Sequence, residues 1–418
     1  MAGFTFEGEV ESLSSRQQEF ICEVLEKRGY QNNNIVIEAV GKAGDNYIAN
    51  VKRITVNDDR EHFKMIAKIA PTNQIARARS GIDVMFMNES VMYKEILPKL
   101  VEIQRVNDIP KDSLFRYAEC YGVLTEAPHE LILLEDLKLS EFITLDRFKP
   151  LSNECIKLIL KKFAILHSLS IVFKEENPES FSKYSKNLID FFDAFCKAPG
   201  FQHYLANVEK DALEILADEH YKAAIRGTVS KMPEELSKMS KDIQKMKHSV
   251  VIQGDSWTNN IMFRLQDNVP VECVMIDYQL SKVSSPVGDI LYMIFACTDH
   301  ESRRKYYNQW IDYYHSELNN SLSNFKMKVN DIYPIDELNK DLKKYCKYFF
   351  DNAIIMYSIL IRKSEDAAKV KEAIEGGDNY EDVLESFQTN NLDAESVSLF
   401  KSKIEDLVDS CRQFGYID

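Results

Sequence analysis

Several features are scarce in this 418-residue sequence, and each scarcity closes off a class of function. Positive charge is short: 52 Lys and Arg stand against 66 Asp and Glu, a formal net charge of -14, so no broad basic surface is expected to draw nucleic acid or anionic lipid. Long hydrophobic runs are missing. The longest, Ile290 to Cys297, cannot span a bilayer, and the opening Met1-Ala2-Gly3-Phe4-Thr5-Phe6-Glu7 lacks the basic and apolar segments of a secretion signal. The eight cysteines include no close pair of the kind that zinc sites or redox motifs use, and they read as buried thiols in a reducing compartment. Low-complexity tracts and internal repeats are absent as well. What remains is an ordered, cytoplasmic protein without membrane or nucleic-acid partners, long enough for two or three packed units.

The apolar spacing divides the chain. Phe20, Ile21, Val24 and Leu25 predict an opening helix, and 36–40, 47–56 and 63–69 then alternate or run apolar as strands do. A helix is expected from Met85 to about Leu100, with Pro98 near its end, followed by strands over 117–124 and 130–134. After Glu135-Asp136 long helical patterns take over, interrupted by strand character at 249–253, 261–265 and 271–276. The expected architecture is α+β: a small antiparallel sheet over residues 1–136 and a larger, mainly helical part over 137–418.

The interruption carries the chemistry. In Gln253-Gly254-Asp255-Ser256-Trp257-Thr258-Asn259-Asn260 an aspartate follows an apolar strand and an asparagine lies five positions later. Phosphoryl transfer needs a carboxylate to orient or deprotonate the incoming hydroxyl, and an amide oxygen near Mg²⁺. A second aspartate, Asp277, ends the next apolar strand in Ile276-Asp277-Tyr278-Gln279, where a carboxylate can bind metal bridged to nucleotide phosphates. Read alone, either aspartate is an ordinary turn residue held by backbone amides. Lys68, in the apolar strand Met65-Ile66-Ala67-Lys68-Ile69, requires a partner, and Glu89 on the following helix can supply one; the competing readings are an edge lysine reaching water and a solvated helix face. Gly44, Asp45 and Asn46 lie in a loop placed to cover phosphates. Glu135 and Leu137 follow a strand whose exposed backbone can meet an adenine edge, with Leu133 or Leu134 on the ring.

Taken in order, Gly44-Asp45-Asn46, Lys68, Glu89, Leu134 to Leu137, Gly254-Asp255-x-Trp257-x-x-Asn260, Asp277-Tyr278-Gln279 and Asp289 resemble the ecdysteroid kinase-like family. The resemblance runs from about residue 30 to Gly415-Tyr416. It implies a two-lobed protein-kinase-like fold, ATP with Mg²⁺, and phosphorylation of a small alcohol such as an ecdysteroid, another steroid or a xenobiotic; a monomer or weak dimer is expected besides. On that resemblance Asp255 is the base, Asn260 and Asp277 the metal ligands, Lys68 the phosphate-binding lysine, Glu89 its partner and Asp289 a structural tie. Choline, ethanolamine or aminoglycoside phosphorylation, and a nucleotide-binding pseudokinase, are the alternatives. Gln253 stands where the family usually has histidine, and Ala49 where serine is common.

Overall fold

The computed structural model of the chain describes residues 3–41, 49–57, 62–74, 77, 81–195, 199–243, 246–376, 386–389 and 392–417. Gly44, Asp45 and Asn46 lie outside the described residues. The N-terminal sheet holds β1 (Thr5–Gly8), β2 (Asn34–Ala39), β3 (Asn50–Asn57), β4 (Phe63–Ile69), β5 (Cys120–Leu124) and β6 (Leu131–Glu135), in the order β1-β2-β3-β4-β6-β5. All its pairings are antiparallel except that of β1 with β2, which is parallel. β1 carries no apolar alternation and buries none of its four residues, so nothing in its sequence announced a strand.

Strand periodicity decides what faces what. Met65, Ala67 and Ile69 of β4, with Leu131 and Leu133 of β6, pack beneath Ile21, Val24 and Leu25 of helix α1 (Ser15–Lys27), whose start is fixed by a Ser14/Gln17 capping box. The alternate residues Ile66, Lys68, Ile132 and Leu134 therefore turn to the opposite face. That face is crossed by α2 (Ile82–Val91) and α3 (Leu97–Val106), joined through one wider helical turn over Met92–Ile96. The helix runs past the expected end near Leu100 to Val106, so Pro98 is not close to its end. It sits in the first turn of α3, where its missing N–H costs no hydrogen bond after the widened turn.

Past Asp136 the chain is mainly helical. Its principal helices are α4 (Asn153–Glu176), α5 (Val287–Cys297), α6 (His300–Ser323), α7 (Ile335–Leu360) and α8 (Ala394–Gln413), with α4 lying along α6. Two small sheets are set into them: β7 (Phe142–Thr144) joins the hairpin of β9 (Ile261–Gln266) and β10 (Val269–Met275), while β8 (Val250–Ile252) pairs with β11 (Lys282–Ser284). The hairpin turn is tighter than the sequence suggested. Asp267 and Asn268, at φ 50° and 62°, make it alone, and Pro270 enters β10 beside a bulge. α5 is buried at every position, so it forms the floor beneath β8 and the loop that follows. The expected α+β architecture, a small antiparallel-rich sheet followed by a mainly helical body, is the one observed. Among the described residues no helix is long and apolar enough to cross a membrane.

One buried acid in this body lies away from the loops. Asp351 of α7 is fully buried, and burial pushes its carboxyl up to about 7, opposed by Thr228 and the charge of Lys347. Thr228 donates its own proton to the Ile225 carbonyl. A carboxyl raised in the folded state favours folding most below its unfolded value near 4, and that advantage fades as pH rises to about 7. Asp351→Asn is expected to remove this slope: melting temperatures of variant and wild type should diverge between pH 5 and 8, with the variant the more stable at pH 8. Parallel pH profiles would show that the acid is not held protonated.

Candidate functional site

The face of the sheet turned away from α1 is where Lys68 emerges, flanked in register by Val51 of β3 and Ile132 of β6. Its ammonium is buried, donating to Glu89 Oε2 of α2 at 2.5 Å and to Asp277 Oδ1 at 2.7 Å, with Gln279 Oε1 at 3.4 Å. Burial disfavours the ammonium, but the charges of Asp277 and Glu89 outweigh it and hold Lys68 above the usual lysine range. Burial also pushes the Glu89 carboxyl up, against the pull of Lys68. Lysine 68 and aspartate 277 are 209 positions apart, so this contact ties the sheet to the helical body.

The Asp255 loop is positioned from below by α5. Asp289, with no solvent exposure, accepts the main-chain N–H of Gln253 and of Gly254, each at 2.9 Å, and receives His167 Nε2 of α4 at 3.2 Å. Between those bonds Gly254 turns at φ 86°, and a side chain there would meet the Leu280 carbonyl oxygen at 2.3 Å, so only glycine fits. Gln253, the departure noted in the sequence, is a fully buried brace. Its amide nitrogen donates to the carbonyls of Ile276 (2.9 Å) and Asp277 (2.8 Å), while its oxygen accepts Asp255 N (2.6 Å) and Ser256 Oγ (2.7 Å). One side chain thus couples the Asp255 loop to the Asp277 turn, where Asp277 is held at φ 60°. Ala49, the other departure, is simply buried in the core.

Asp255 itself is nearly enclosed. Oδ2 accepts the Asn260 amide at 2.9 Å and Oδ1 accepts the Tyr292 hydroxyl at 2.6 Å. Burial, and next the neighbouring charge of Asp277, push its carboxyl up to about 7, with both hydrogen bonds and Lys68 pulling the other way. Asn260 spends its amide nitrogen on Asp255, so its oxygen is the atom left with metal-binding chemistry.

A cavity of about 460 Å³ opens beside these groups, lined by Ile66, Lys68, Glu89, Leu134, Asn260 and Asp277. Glu135 and Leu137 also line it, although the Glu135 carboxylate is engaged by Arg116 and Ser140. Leu134, not Leu133, faces the cavity, because Leu133 belongs to the α1 side of the sheet. The structure brings Lys68, Glu89, Asn260 and Asp277 to one cavity; Asp255 does not line it and is joined to it through its hydrogen bond with Asn260. Trp257 packs buried under the loop, and His167 is a core residue bonded to Asp289 and to Tyr314 at 2.8 Å. The residue that sequence reasoning missed is Tyr292, since inside a helix buried at every position it reads as core.

The donor set can be tested against a divalent cation. Asp277 and the amide oxygen of Asn260 stand on the cavity wall as the oxygen donors that a Mg²⁺ ion takes. Among the described residues no cluster of three or more His, Cys, Asp or Glu side chains forms a complete metal cage. That is the expected condition where phosphates and water supply the remaining ligands, so the residues fit the ion in that partial role.

A buried strand lysine paired to a helix glutamate, below which two aspartate loops approach from a helical body, puts the chain in the kinase-like class of proteins. Its sequence matches the ecdysteroid kinase-like family over residues 43–327, more than half of the chain, and it belongs to that family. Similar solved structures include an ethanolamine kinase of Plasmodium vivax, at 11% identity and a TM-score of 0.40, covering 85% of this chain and 81% of that one. Another is the GDP complex of wild-type aminoglycoside 2'-phosphotransferase-IIIa, at 12% identity and a TM-score of 0.42, covering 90% of this chain and 100% of that one. These likenesses are distant, and the family assignment does not lean on them. No match was found among curated proteins.

Proposed function

We propose that this chain transfers the γ-phosphoryl group of ATP to a hydroxyl of a small apolar molecule, an ecdysteroid or another steroid or xenobiotic alcohol, as a cytoplasmic monomer or weak dimer. The observation that carries this reading is the buried bridge from Lys68 to both Glu89 and Asp277. A buried lysine tied to acids from two distant elements is a preorganised phosphate contact, and the pairing aims it into the cavity. On this reading residues 1–136 bind the nucleotide, with Gly44, Asp45 and Asn46 over its phosphates and Glu135, Leu137 and Leu134 at its base. Residues 137–418 present the acceptor. Asn260 Oδ1 and Asp277 would hold Mg²⁺, which when bound neutralises phosphate charge. Asp255 orients the acceptor hydroxyl and takes its proton as the oxygen attacks phosphorus.

The acceptor side is walled by aromatic rings, which suit an apolar ring and a cation alike, so the acceptor class rests on the family resemblance. Phe191, Phe192, Tyr292, Tyr348 and Phe349 surround a small pocket beside Gly254, and its one charged pair, Lys282 with Asp190 at 2.8 Å, is mutually neutralised. Incubation with Mg·ATP and a panel of ecdysteroids, plant-derived alcohols, choline, ethanolamine and aminoglycosides, read as gain of one phosphate by mass spectrometry, tests this. Transfer to members of the first two groups is expected. Transfer to the cations alone would overturn the acceptor class, and no transfer to anything would overturn the kinase reading.

A further inference from the structure

Asp255 is hydrogen-bonded to a wall residue of each of two spaces, Asn260 of one and Tyr292 of the other. The first is the cavity of about 460 Å³ with Lys68, Asn260 and Asp277; the second is a closed pocket of about 20 Å³, walled by Gly254, Tyr292 and the rings of Phe191 and Phe349. The contact between the Tyr292 hydroxyl and Asp255 Oδ1 is only 2.6 Å long. No alcohol fits the closed pocket at its present size, and none reaches Oδ1 from that side while the phenol is there.

The two hydrogen bonds on the carboxylate are not equivalent. Asn260 is fixed, because its amide nitrogen also donates to the Asp255 main-chain carbonyl at 3.0 Å. The Tyr292 hydroxyl makes no second hydrogen bond among the described residues, so it can leave without orphaning another group. Burial and the charge of Asp255 keep the phenol protonated and therefore a donor. Chemically this is an O–H pointed at a carboxylate oxygen, the same interaction that an acceptor alcohol makes as it delivers its proton.

We propose that Tyr292 guards the base: its hydroxyl occupies the place at Asp255 Oδ1 that the acceptor hydroxyl takes, keeping water off the carboxylate until an acceptor displaces it. The inference rests on the kinase reading with Asp255 as base. Its consequence concerns hydrolysis, in which a water oxygen attacks the γ-phosphorus of ATP, the bond to the ADP oxygen breaks, the water proton passes to Asp255, and ADP and inorganic phosphate leave. With the phenol in place water lacks a base. Without it, water has one.

The test uses the full chain and Mg·ATP alone, with water as the acceptor, comparing wild type, Tyr292→Phe and Asp255→Asn by phosphate release. Work at about pH 8.5 keeps the carboxylate ionised even after it loses a donor, and a melting transition for each variant confirms that folded proteins are compared. Tyr292→Phe keeps the ring and frees Oδ1 from one charge-assisted hydrogen bond, so hydrolysis should rise by at least about tenfold over wild type. The double variant Tyr292→Phe/Asp255→Asn should fall back to the Asp255→Asn rate. A Tyr292→Phe rate equal to or below wild type overturns the guard, and a fall would mark Tyr292 as a positioning residue instead. If the double variant hydrolyses as fast as Tyr292→Phe, Asp255 is not the base and this inference fails, whereas the kinase reading fails only if no alcohol gains a phosphate in the acceptor panel.

Discussion

Asp255→Asn is expected to lower phosphoryl transfer to the alcohol by about a thousandfold, in the middle of the range that a positioned general base contributes. The substitution preserves shape: the new amide oxygen can accept from Asn260, and its nitrogen can face the Tyr292 oxygen, whose proton is free to rotate. What disappears is the negative charge that draws the acceptor proton. Lys68, Glu89, Asn260 and Asp277 are untouched, so nucleotide affinity should stay within a few-fold of wild type and the loss should fall on turnover. Folding gives an independent sign. The Asp255 carboxyl titrates at about 7 in the folded protein, above its ordinary 3.8, so its ionised form costs stability as pH rises toward 7. The asparagine variant avoids that cost and should melt no lower than wild type at pH 8. ADP formation, fluorescent-nucleotide titration and a melting curve on one preparation decide the matter. Turnover within a few-fold of wild type would remove Asp255 from the base role.

How far the site was legible in the sequence depended on whether its signal was local. Lys68 could be singled out because a lysine inside an apolar strand violates its neighbourhood, and period-two geometry alone sets it opposite Met65 and Ala67. The same rule separates Leu133 from Leu134, but only once the register of β4 on β6 is known: Ala67 pairs with Leu133, and Ile66 with Leu134. Gln253 drew notice as a departure that could still donate a hydrogen bond to the loop, without a partner being named. Its role depends on the approach of residues 276 and 277 across a hairpin, which local pattern does not encode. Tyr292 was concealed for the opposite reason. It stands in a helix so uniformly buried that a phenol among Leu291, Met293 and Ile294 reads as packing, and only the 2.6 Å contact with Asp255 separates it from core. Likewise β1 is short, with only Phe6 packed against the core, and it lies along the edge of β2 without any apolar alternation to announce it.

The same distinction sets the largest expected effect on stability, at Asp289. This carboxylate has no solvent exposure, and its two oxygens serve the main-chain N–H groups of Gln253 and Gly254, the ring of His167 and, at 3.4 Å, the hydroxyl of Ser256. Asp289→Ala leaves those donors unpaired in a dry interior. Breaking a buried charged network in this way costs about 3–5 kcal/mol, and the backbone cannot rearrange cheaply because Gly254 is already pinned against the Leu280 carbonyl. The denaturant midpoint should fall accordingly. Asp289→Asn should lose less, since one oxygen remains as an acceptor while the new NH₂ opposes one backbone donor. Catalysis should suffer even in the folded fraction, because residues 253 to 255 would drift together, and a displacement of about 1 Å at a reacting group costs on the order of a hundredfold. Nucleotide affinity separates this from general damage: Lys68 and Glu89 are held by the sheet and α2, so binding should persist below the new unfolding midpoint while turnover collapses. An Asp289→Ala protein with wild-type stability and turnover would show that the Asp255 loop is held in place by something other than the floor beneath it.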